Sequence, residues 1–308
     1  MTGELTHFTI DGVTIIRLES DLLRVDVAPS IGGRVVNLVT KSSGYDFLWR
    51  NQKVSLRPLP TGAEYDPNFY GGIDELLPND IPECINGVDC PDHGELWTTA
   101  LTWKGDGNRM MLEGRLAHCG LTYERQMSLR SDSPCVDLKY RISNRTTRSR
   151  DFLWKLHAAL AVQSGDIIDC PARKAQVVDP AWSRYKNLAP FDWPMLEGLP
   201  VNVIPTADGT MDFFYLYDLE QGRMSWRRPT QNLEFSYSFD ATVFPYAWMF
   251  ASSGGFDGHY TVILEPCTAM PISVNEAASK NQCSRLEPGQ TLETMVTIYA
   301  GALRQSHG

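Results

Sequence analysis

Short runs in which large apolar and polar side chains alternate recur along almost the whole chain, and this pattern most constrains the fold. Leu233–Phe239 (LEFSYSF) and Val136–Ile142 (VDLKYRI) are two clear cases, and a period of two residues is typical of a strand with one buried face. A helical period is present only near Asn275–Lys280. Many short strands, without an internal repeat or a linker, predict an all-β protein: a large antiparallel β-sandwich that spans residues 1–308 as one domain.

The composition is that of a folded chain with a large core. Of the 308 residues, 43% are hydrophobic and 21% are charged, and the formal net charge is −9. An acidic chain without a basic block disfavours nucleic acid and anionic membranes as partners. No apolar stretch approaches the roughly 20 residues of a membrane span. The start, MTGELTHFTIDG, lacks the basic and apolar regions of a signal peptide.

The cysteines bear on the compartment. There are seven of them, an odd number in a large chain, and their spacing is not that of a small disulfide scaffold. We therefore predict a soluble, reduced protein of the cytoplasm, either a monomer or a homodimer.

Residues 51–95 differ in character from the rest of the chain because proline and glycine are dense there. Neither a helical nor a strand period survives this density of breakers, so the segment is predicted to be a long loop. Loops of this length in a compact domain tend to carry function. The alternative is an ordered surface excursion without chemistry.

Two basic side chains interrupt the apolar run Phe152–Leu160 (FLWKLHAAL). Because strand side chains alternate, Lys155 and His157 share a face with Leu153 and Ala159, and the opposite face can fill a core. Burying unpaired basic groups is costly. Either this face opens to solvent or pairs with carboxylates, or it is the inner face of a concave sheet that carries an active site.

Two more residues could take part in acid–base chemistry. His93 lies at the end of the long loop, beside Gly94, which permits a close approach of backbone or ligand. Glu265 ends an apolar strand on the same predicted face as His259 and Ile263, and a carboxylate at that place can serve as a general base. The alternatives are a loop histidine that caps a turn and a glutamate that points to water.

Eight tryptophans supply rings that suit the apolar faces of sugars, although most of them must be core. A metal site is the alternative use of the long loop, because Cys84, Cys90 and His93 are close in sequence. Their C-x5-C-x2-H spacing is not a usual zinc pattern. We predict no metal and no organic cofactor.

Five stretches, in order along the chain, resemble motifs of the aldose 1-epimerase (galactose mutarotase-like) superfamily. They are Ile31–Val35 (IGGRV), Tyr70–Asn79 (YGGIDELLPN), Pro91–Trp97 (PDHGELW), Phe152–Leu160 following Asn144, and the late pair Val243–Phe250 (VFPYAWMF) and Val262–Met270 (VILEPCTAM). The resemblance covers most of the chain and implies the β supersandwich of that superfamily.

The resemblance implies that Glu265 is the catalytic base, that His157 is the acid, and that His93 binds or polarises the sugar near its ring oxygen. Mutarotation removes the proton of the anomeric hydroxyl while the ring oxygen is protonated; the C1–O5 bond breaks, C1–C2 rotates and the ring closes on the other face. A carboxylate and an imidazole on opposite sides of the sugar can exchange these protons near neutral pH. The implied function is an aldose 1-epimerase that interconverts the α and β anomers of a hexose or related sugar.

Arg34, Asp74, Glu75 and Lys155 are further candidates for sugar binding. Relatives that act on phosphorylated hexoses tend to carry an arginine before the Gly-Gly pair, where this chain has Tyr70. Carboxylates at 74 and 75 would repel a phosphate, which favours a neutral sugar, although Arg34 or Lys155 could reverse that preference.

Other assignments stay open at this point. Asp212 and Asp240 are possible counterparts of the mid-chain aspartate that contacts sugar hydroxyls in the superfamily. The function could instead be non-catalytic carbohydrate binding or regulation on the same fold, or another sugar-active enzyme such as a lyase or an isomerase of a modified hexose. The combination of His93, His157 and Glu265 favours the epimerase, since binding alone needs no acid–base pair.

Overall fold

The structure, a computed structural model, describes residues 5–304. Residues 1–4 and 305–308, the two ends of the predicted domain 1–308, lie outside the described residues. Residues 1–4 also begin the stretch MTGELTHFTIDG, on which the prediction about a signal peptide rests. Between these limits the chain forms 26 strands and one α-helix. No helix of this part is long and apolar enough to cross a membrane. The single domain, the cytoplasmic location and the oligomeric state stay predictions.

The strands run in chain order, and almost all are short. They are β1 Thr6–Ile10, β2 Val13–Glu19, β3 Leu23–Ala28, β4 Arg34–Thr40, β5 Tyr45–Asp46, β6 Ile73–Leu76, β7 Glu83–Ile85, β8 Val88–Cys90, β9 Thr102–Asp106, β10 Arg109–Arg115, β11 Leu121–Leu129, β12 Cys135–Asn144, β13 Arg150–Phe152, β14 Lys155–Ala161, β15 Ile167–Asp169, β16 Ala172–Val177, β17 Phe191–Asp192, β18 Met195–Leu196, β19 Leu199–Pro200, β20 Thr210–Leu219, β21 Arg223–Arg228, β22 Leu233–Phe239, β23 Tyr246–Ser253, β24 Tyr260–Cys267, β25 Ser284–Leu286 and β26 Thr291–Ala302.

Two large antiparallel sheets organise these strands. A 12-stranded sheet has the order β1-β2-β3-β4-β6-β14-β24-β23-β20-β16-β17, with β5 paired to β4, and an 8-stranded sheet has the order β15-β21-β22-β26-β12-β11-β10-β9. Three two-stranded ladders, β13-β25, β18-β19 and β7-β8, complete the set. The predicted all-β class and large antiparallel sandwich are confirmed.

The main hydrophobic core lies between the two large sheets. Leu156 and Leu264 contribute to it from the larger sheet, and Leu138 and Val296 contribute from the smaller one. Their burial follows from the alternation, since every second side chain of a half-buried strand points inward. The opposite face of the larger sheet carries Lys155 and other polar side chains beneath the long loops.

The prediction that residues 51–95 form one long loop is wrong where the strands β6, β7 and β8 lie. Ile73–Leu76 (IDEL) forms β6, which pairs with β4 and β14 inside the larger sheet, and all four of its residues are buried. Two adjacent carboxylates are tolerated there because each has a buried cationic partner. Four residues between glycines and a proline are too few to display a period, so the sequence pattern did not reveal the strand.

The strand predicted over Phe152–Leu160 is also interrupted. Phe152 ends β13, which pairs with β25, and β14 begins only at Lys155. At the break, Trp154 N donates to Thr268 Oγ1 at 2.9 Å, and Leu153 N donates to the Pro78 carbonyl at 2.7 Å. Side-chain parity nevertheless continues across it.

The helix predicted near 275–280 is confirmed as α1, Val274–Ser279. Ser273 caps its N-terminus, since the hydroxyl accepts from Glu276 N at 3.2 Å. Four single-turn 3-10 helices lie in the described loops, at Asp66–Asn68, Leu96–Thr98, Pro180–Trp182 and Pro229–Gln231.

Candidate active site

A cavity of about 420 Å³ opens on the outer face of the larger sheet. Its floor is formed by β14 and β24, and its walls come from the loop segments on either side of β6 and from the stretch after β16. The lining side chains are Tyr65, Asp66, Phe69, Asp80, Ile81, Asp92, His93, Lys155, His157, Val178, Asp179, Trp182, Phe213, Phe250, Phe256, Ile263, Glu265 and Ile272.

Strand register places three ionisable side chains in one row across this floor. The pairing of β6 with β14 sets Asp74 opposite His157. The pairing of β14 with β24 aligns Lys155 with Cys267 and Ala158 with Leu264, and the same register sets His157 opposite Glu265. Neighbours across adjacent strands lie roughly 5 Å apart at Cβ. The acid and base candidates, His157 and Glu265, therefore lie side by side on neighbouring strands of the cavity floor.

Asp74 orients the His157 ring. His157 Nδ1 lies 2.9 Å from Asp74 Oδ1, and Arg34 Nη2 lies 2.7 Å from Asp74 Oδ2. Burial opposes the charge on Asp74, but Arg34 and His157 outweigh it and hold the pKa of the carboxyl at about 2. An ionised carboxylate can only accept, so Nδ1 carries a proton. Nε2 is left for the cavity, since none of the described residues bonds to it.

Tyr65 supports the same carboxylate. Its hydroxyl lies 2.9 Å from Asp74 Oδ2, and burial raises the pKa of the phenol well above its ordinary value. The hydroxyl is therefore neutral and donates a hydrogen bond to Asp74 Oδ2. Asp74 is then saturated by Arg34, His157 and Tyr65, which is how a carboxylate that is 1% exposed is stabilised.

Lys155 lies between two carboxylates. Its ammonium contacts Asp80 Oδ2, and it lies 2.6 Å from Glu265 Oε2. Burial opposes the charge, yet Asp80 and Glu265 raise the lysine pKa above its ordinary value. The same ammonium lies 4.6 Å from the centre of the Trp248 ring, a cation–π contact.

His93 closes the polar end of the cavity. Its Nδ1 lies 2.8 Å from Asp92 Oδ1, its Nε2 lies 3.7 Å from Asp80 Oδ1, and its ring stacks on Tyr65 with centroids 4.0 Å apart. Burial lowers the His93 pKa, but the two aspartates raise it by more, so the net direction is upward.

Gly94 makes this turn possible. Its φ is +73°, and a Cβ there would lie within 3.0 Å of the Leu77 carbonyl, closer than real Cβ atoms come. The close approach expected beside His93 is thus an approach of backbone to backbone.

Aromatic rings form the other half of the cavity. Phe213, Phe250, Phe256 and Trp182 line it, and the last of these stands 5.6 Å from the Phe256 ring centre. Asp179 lies beside them, where its Oδ1 caps the 3-10 helix by accepting from Ala181 N at 2.7 Å. An apolar wall facing a polar floor suits a ligand with one hydroxyl-rich edge and one carbon-rich face.

The structure brings four of the seven predicted site residues to the cavity itself. These are His93, Lys155, His157 and Glu265. Asp74 and Arg34 stand behind His157 and do not line the cavity. The structure therefore gives the positions of these residues, and the roles predicted for them stay predictions.

Glu75 is not brought to the cavity. It points to the other face of β6, where Oε1 accepts from Arg125 Nη1 at 2.7 Å and from the Tyr140 hydroxyl at 3.0 Å. The expectation that Glu75 binds sugar is therefore wrong in geometry, because neighbouring strand residues face opposite sides of a sheet.

Neither candidate for the mid-chain aspartate lines the cavity. Asp212 is bonded to Ser183 and Arg184, and Asp240 caps a turn at Thr242. Sequence reasoning missed Asp80, Asp179 and Tyr65. Asp80 could have been suspected, because it follows the conspicuous Pro78-Asn79 and a buried Lys155 needs a carboxylate partner.

Metal binding finds no support in the described part of the chain. Residues 5–304 contain no group of three or more histidine, cysteine, aspartate or glutamate side chains arranged to hold a metal ion. Cys84 is exposed and Cys90 is buried, and all seven cysteines are free thiols.

Comparisons with known proteins address the fold. A family model described as a domain of unknown function, DUF5107, matches residues 5–85. No curated protein gives a significant sequence match. The Slr1438 protein from Synechocystis sp. PCC 6803 is similar in structure, with a TM-score of 0.73 and 17% identity over 97% of this chain and 99% of that one.

Two further solved structures carry names related to mutarotation. A candidate aldose 1-epimerase from Escherichia coli K12 has a TM-score of 0.73 and 15% identity, covering 95% of this chain and 100% of its own. A galactose mutarotase-like protein from Lactobacillus casei ATCC 334 has a TM-score of 0.68 and 13% identity, covering 93% of this chain and 100% of its own. At these identities the likeness is one of fold: this chain has the galactose mutarotase-like fold, as its motifs suggested.

Proposed function

We propose that this protein is an aldose 1-epimerase that interconverts the α and β anomers of a neutral hexose or a related sugar. The observation that carries the proposal is the row Asp74, His157, Glu265 beneath a cavity that has one polar and one aromatic half. An oriented imidazole beside a carboxylate is the minimum that proton exchange at an anomeric centre requires.

The side-by-side arrangement suits the reaction. O1 and O5 of a pyranose are both bonded to C1, so a base and an acid on neighbouring strands can reach the two oxygens of one ring edge. Glu265 takes the O1 proton, and the imidazolium of His157 gives its Nε2 proton to O5. The C1–O5 electron pair goes to O5 while the O1–H pair forms the C1=O bond. Rotation about C1–C2 and the reverse transfers complete the cycle.

Charge supports a neutral substrate. The cavity is lined by five carboxylates and a single lysine, the carboxylates being Asp66, Asp80, Asp92, Asp179 and Glu265. The two cations that could have received a phosphate are engaged, Arg34 by Asp74 and Lys155 by Asp80 and Glu265. An anionic group would meet repulsion from these five carboxylates.

The test is anomer exchange, followed by one-dimensional NMR across neutral, acidic and phosphorylated sugars. We expect acceleration with a neutral sugar, loss of about 10²–10⁴-fold in Glu265→Gln, and sugar binding kept within about tenfold in that variant. Glu293→Gln is the control, because Glu293 is an exposed carboxylate of β26 whose side chain is 67% accessible.

Two outcomes would contradict the proposal. Equal loss of exchange and of binding in Glu265→Gln would give Glu265 a binding or structural role. Absence of acceleration with every sugar, together with shifts that report binding, would favour a carbohydrate-binding protein that uses the aromatic wall.

A further inference from the structure

Lys155 occupies an unusual place for a lysine. It begins β14, two residues before His157 and on the same face, and only 2% of it is exposed. A buried ammonium is stable only when its charge is paired and its three N–H donors have partners. Glu265, Asp80 and the face of Trp248 provide that compensation.

The contacts of Glu265 are asymmetric. Oε2 is buried and forms an ion pair with Lys155 Nζ at 2.6 Å, whereas Oε1 makes neither an ion pair nor a hydrogen bond that would fix it among the described residues. Because Glu265 lines the cavity, one oxygen of the carboxylate is held by the lysine and the other is left for a ligand.

We propose that Lys155 is a positioning residue for Glu265: its charge stabilises the carboxylate, and its ammonium holds Oε2 so that Oε1 faces the anomeric hydroxyl. The catalytic part of this inference rests on the proposed epimerase function. The electrostatic part does not, because it concerns only the protonation of Glu265 in the folded protein.

The surroundings explain why a cation is needed. Titratable groups from four parts of the fold face Glu265 or its lysine. They are Lys155 and His157 on β14, Cys267 beside Glu265 on β24, Tyr215 on β20, Asp80 and Tyr65 from the loops, and His93 beyond Asp80. Asp80 and Glu265 contact the same ammonium. Without it, two buried carboxylates would share one region, and their like charges would favour the protonated form of one of them. A protonated Glu265 is no longer a base.

Asp80 also limits the effect of Lys155, because it shares the ammonium. Its removal should leave the lysine to Glu265 alone and make that carboxylate more acidic. Lys155 and Asp80 thus act on Glu265 in opposite directions, which a structural role in folding would not produce.

The experiment titrates Glu265 directly, in protein labelled with ¹³C at the glutamate side-chain carboxyl, where the resonance is assigned by its absence in Glu265→Gln. Lys155→Met should raise the titration midpoint by at least about one pH unit, a tenfold change in proton affinity. Asp80→Asn should lower it. Lys174→Met is the matched control, because Lys174 forms an exposed pair with Asp192, and it should leave the midpoint unchanged.

An unchanged midpoint in Lys155→Met would overturn the inference. Should that variant fail to fold, Asp80→Asn decides, since a constant or higher midpoint there would overturn it as well. These readouts need no substrate, so a wild type without anomer exchange refutes the proposed function and leaves this test standing.

Turnover adds a second readout. With a sugar that the wild type accepts, Lys155→Met should lose kcat at neutral pH, recover part of it at higher pH and keep KM within about threefold. A rise in KM with unchanged kcat and pH profile would instead make Lys155 a sugar-binding residue.

Discussion

The proton on His157 depends on one neighbouring side chain. Asp74 accepts from Nδ1 at 2.9 Å and is itself held by Arg34 at 2.7 Å, so the ring has a defined tautomer and orientation. An amide in place of the carboxylate can donate as well as accept, and it carries no charge to stabilise an imidazolium.

Asp74→Asn should therefore lower kcat for anomer exchange by about 10²–10⁴-fold while the sugar still binds. The variant leaves the cavity lining unchanged, since Asp74 stands behind His157. Tyr65→Phe is the comparison, because this variant removes one hydrogen bond to Asp74 but leaves the Asp74 carboxylate charged. Its loss of kcat should be much smaller. Steady-state kinetics on both variants measure the difference, and equal losses would argue against tautomer control.

His93 makes stability depend on pH. Its pKa is raised in the folded protein by Asp80 and Asp92, against the opposing effect of burial. A group with a raised folded-state pKa contributes stability that is fully present below its ordinary pKa and is lost as the pH rises through the raised value.

His93→Gln should consequently cost more unfolding free energy at pH 5.5 than at pH 9. Urea titrations at the two pH values measure the two differences from wild type. His118→Gln serves as the control, because His118 is exposed and forms no ion pair with any residue between 5 and 304; the cost of this variant should differ little between the two pH values. A larger cost at pH 9 would contradict the direction of the pKa shift.

At the scale of elements, β6 and the turn at Gly94 bring the site together. The short strand carries Asp74 to His157, and the backbone after it meets the His93 turn, where Leu77 and Gly94 form a bridge. The glycine-containing motifs of the sequence therefore identified the region of the site, although the sequence pattern did not predict β6. A period cannot be read from four residues, and burial of adjacent carboxylates is visible only when their partners are known.

Gly94→Ala should destabilise the protein more than Gly165→Ala does. Both glycines have positive φ, +73° and +88°, but a Cβ at 94 would meet the Leu77 carbonyl, whereas a Cβ at 165 would have nothing within 4 Å. The left-handed conformation alone costs about 1–3 kcal/mol at each position. Urea unfolding of both variants isolates the additional cost of the clash, and equal costs would show that the turn at 94 can relax.

At the scale of the molecule, a buried ion pair joins the two sheets behind the site. Glu75 on β6 accepts from Arg125 on β11, and its Oε2 accepts from Trp154 Nε1 at 3.0 Å. Removing one partner of a buried pair leaves an uncompensated charge, which costs far more than the loss of an exposed pair.

Glu75→Gln should lower the free energy of unfolding by about 3–5 kcal/mol, while KM for the proposed anomer exchange stays unchanged because the side chain lies away from the cavity. Asp137→Asn, at the pair with the largely exposed Arg130, should cost about 1 kcal/mol or less. Chemical denaturation and kinetics on each variant provide the comparison, and a selective rise in KM for Glu75→Gln would restore it to sugar binding.

The sequence by itself determined the all-β class, the facing of Lys155 and His157 on one side of their strand, and the motifs that contain His93 and Glu265. These are local properties, because alternation and turn chemistry are written in neighbouring residues. Only the tertiary structure decided that Asp74 meets His157, that Glu75 turns to the core, and that Lys155 is shared by Asp80 and Glu265. Those partners lie far apart in the chain, and strand register, which local pattern does not encode, sets which of them meet.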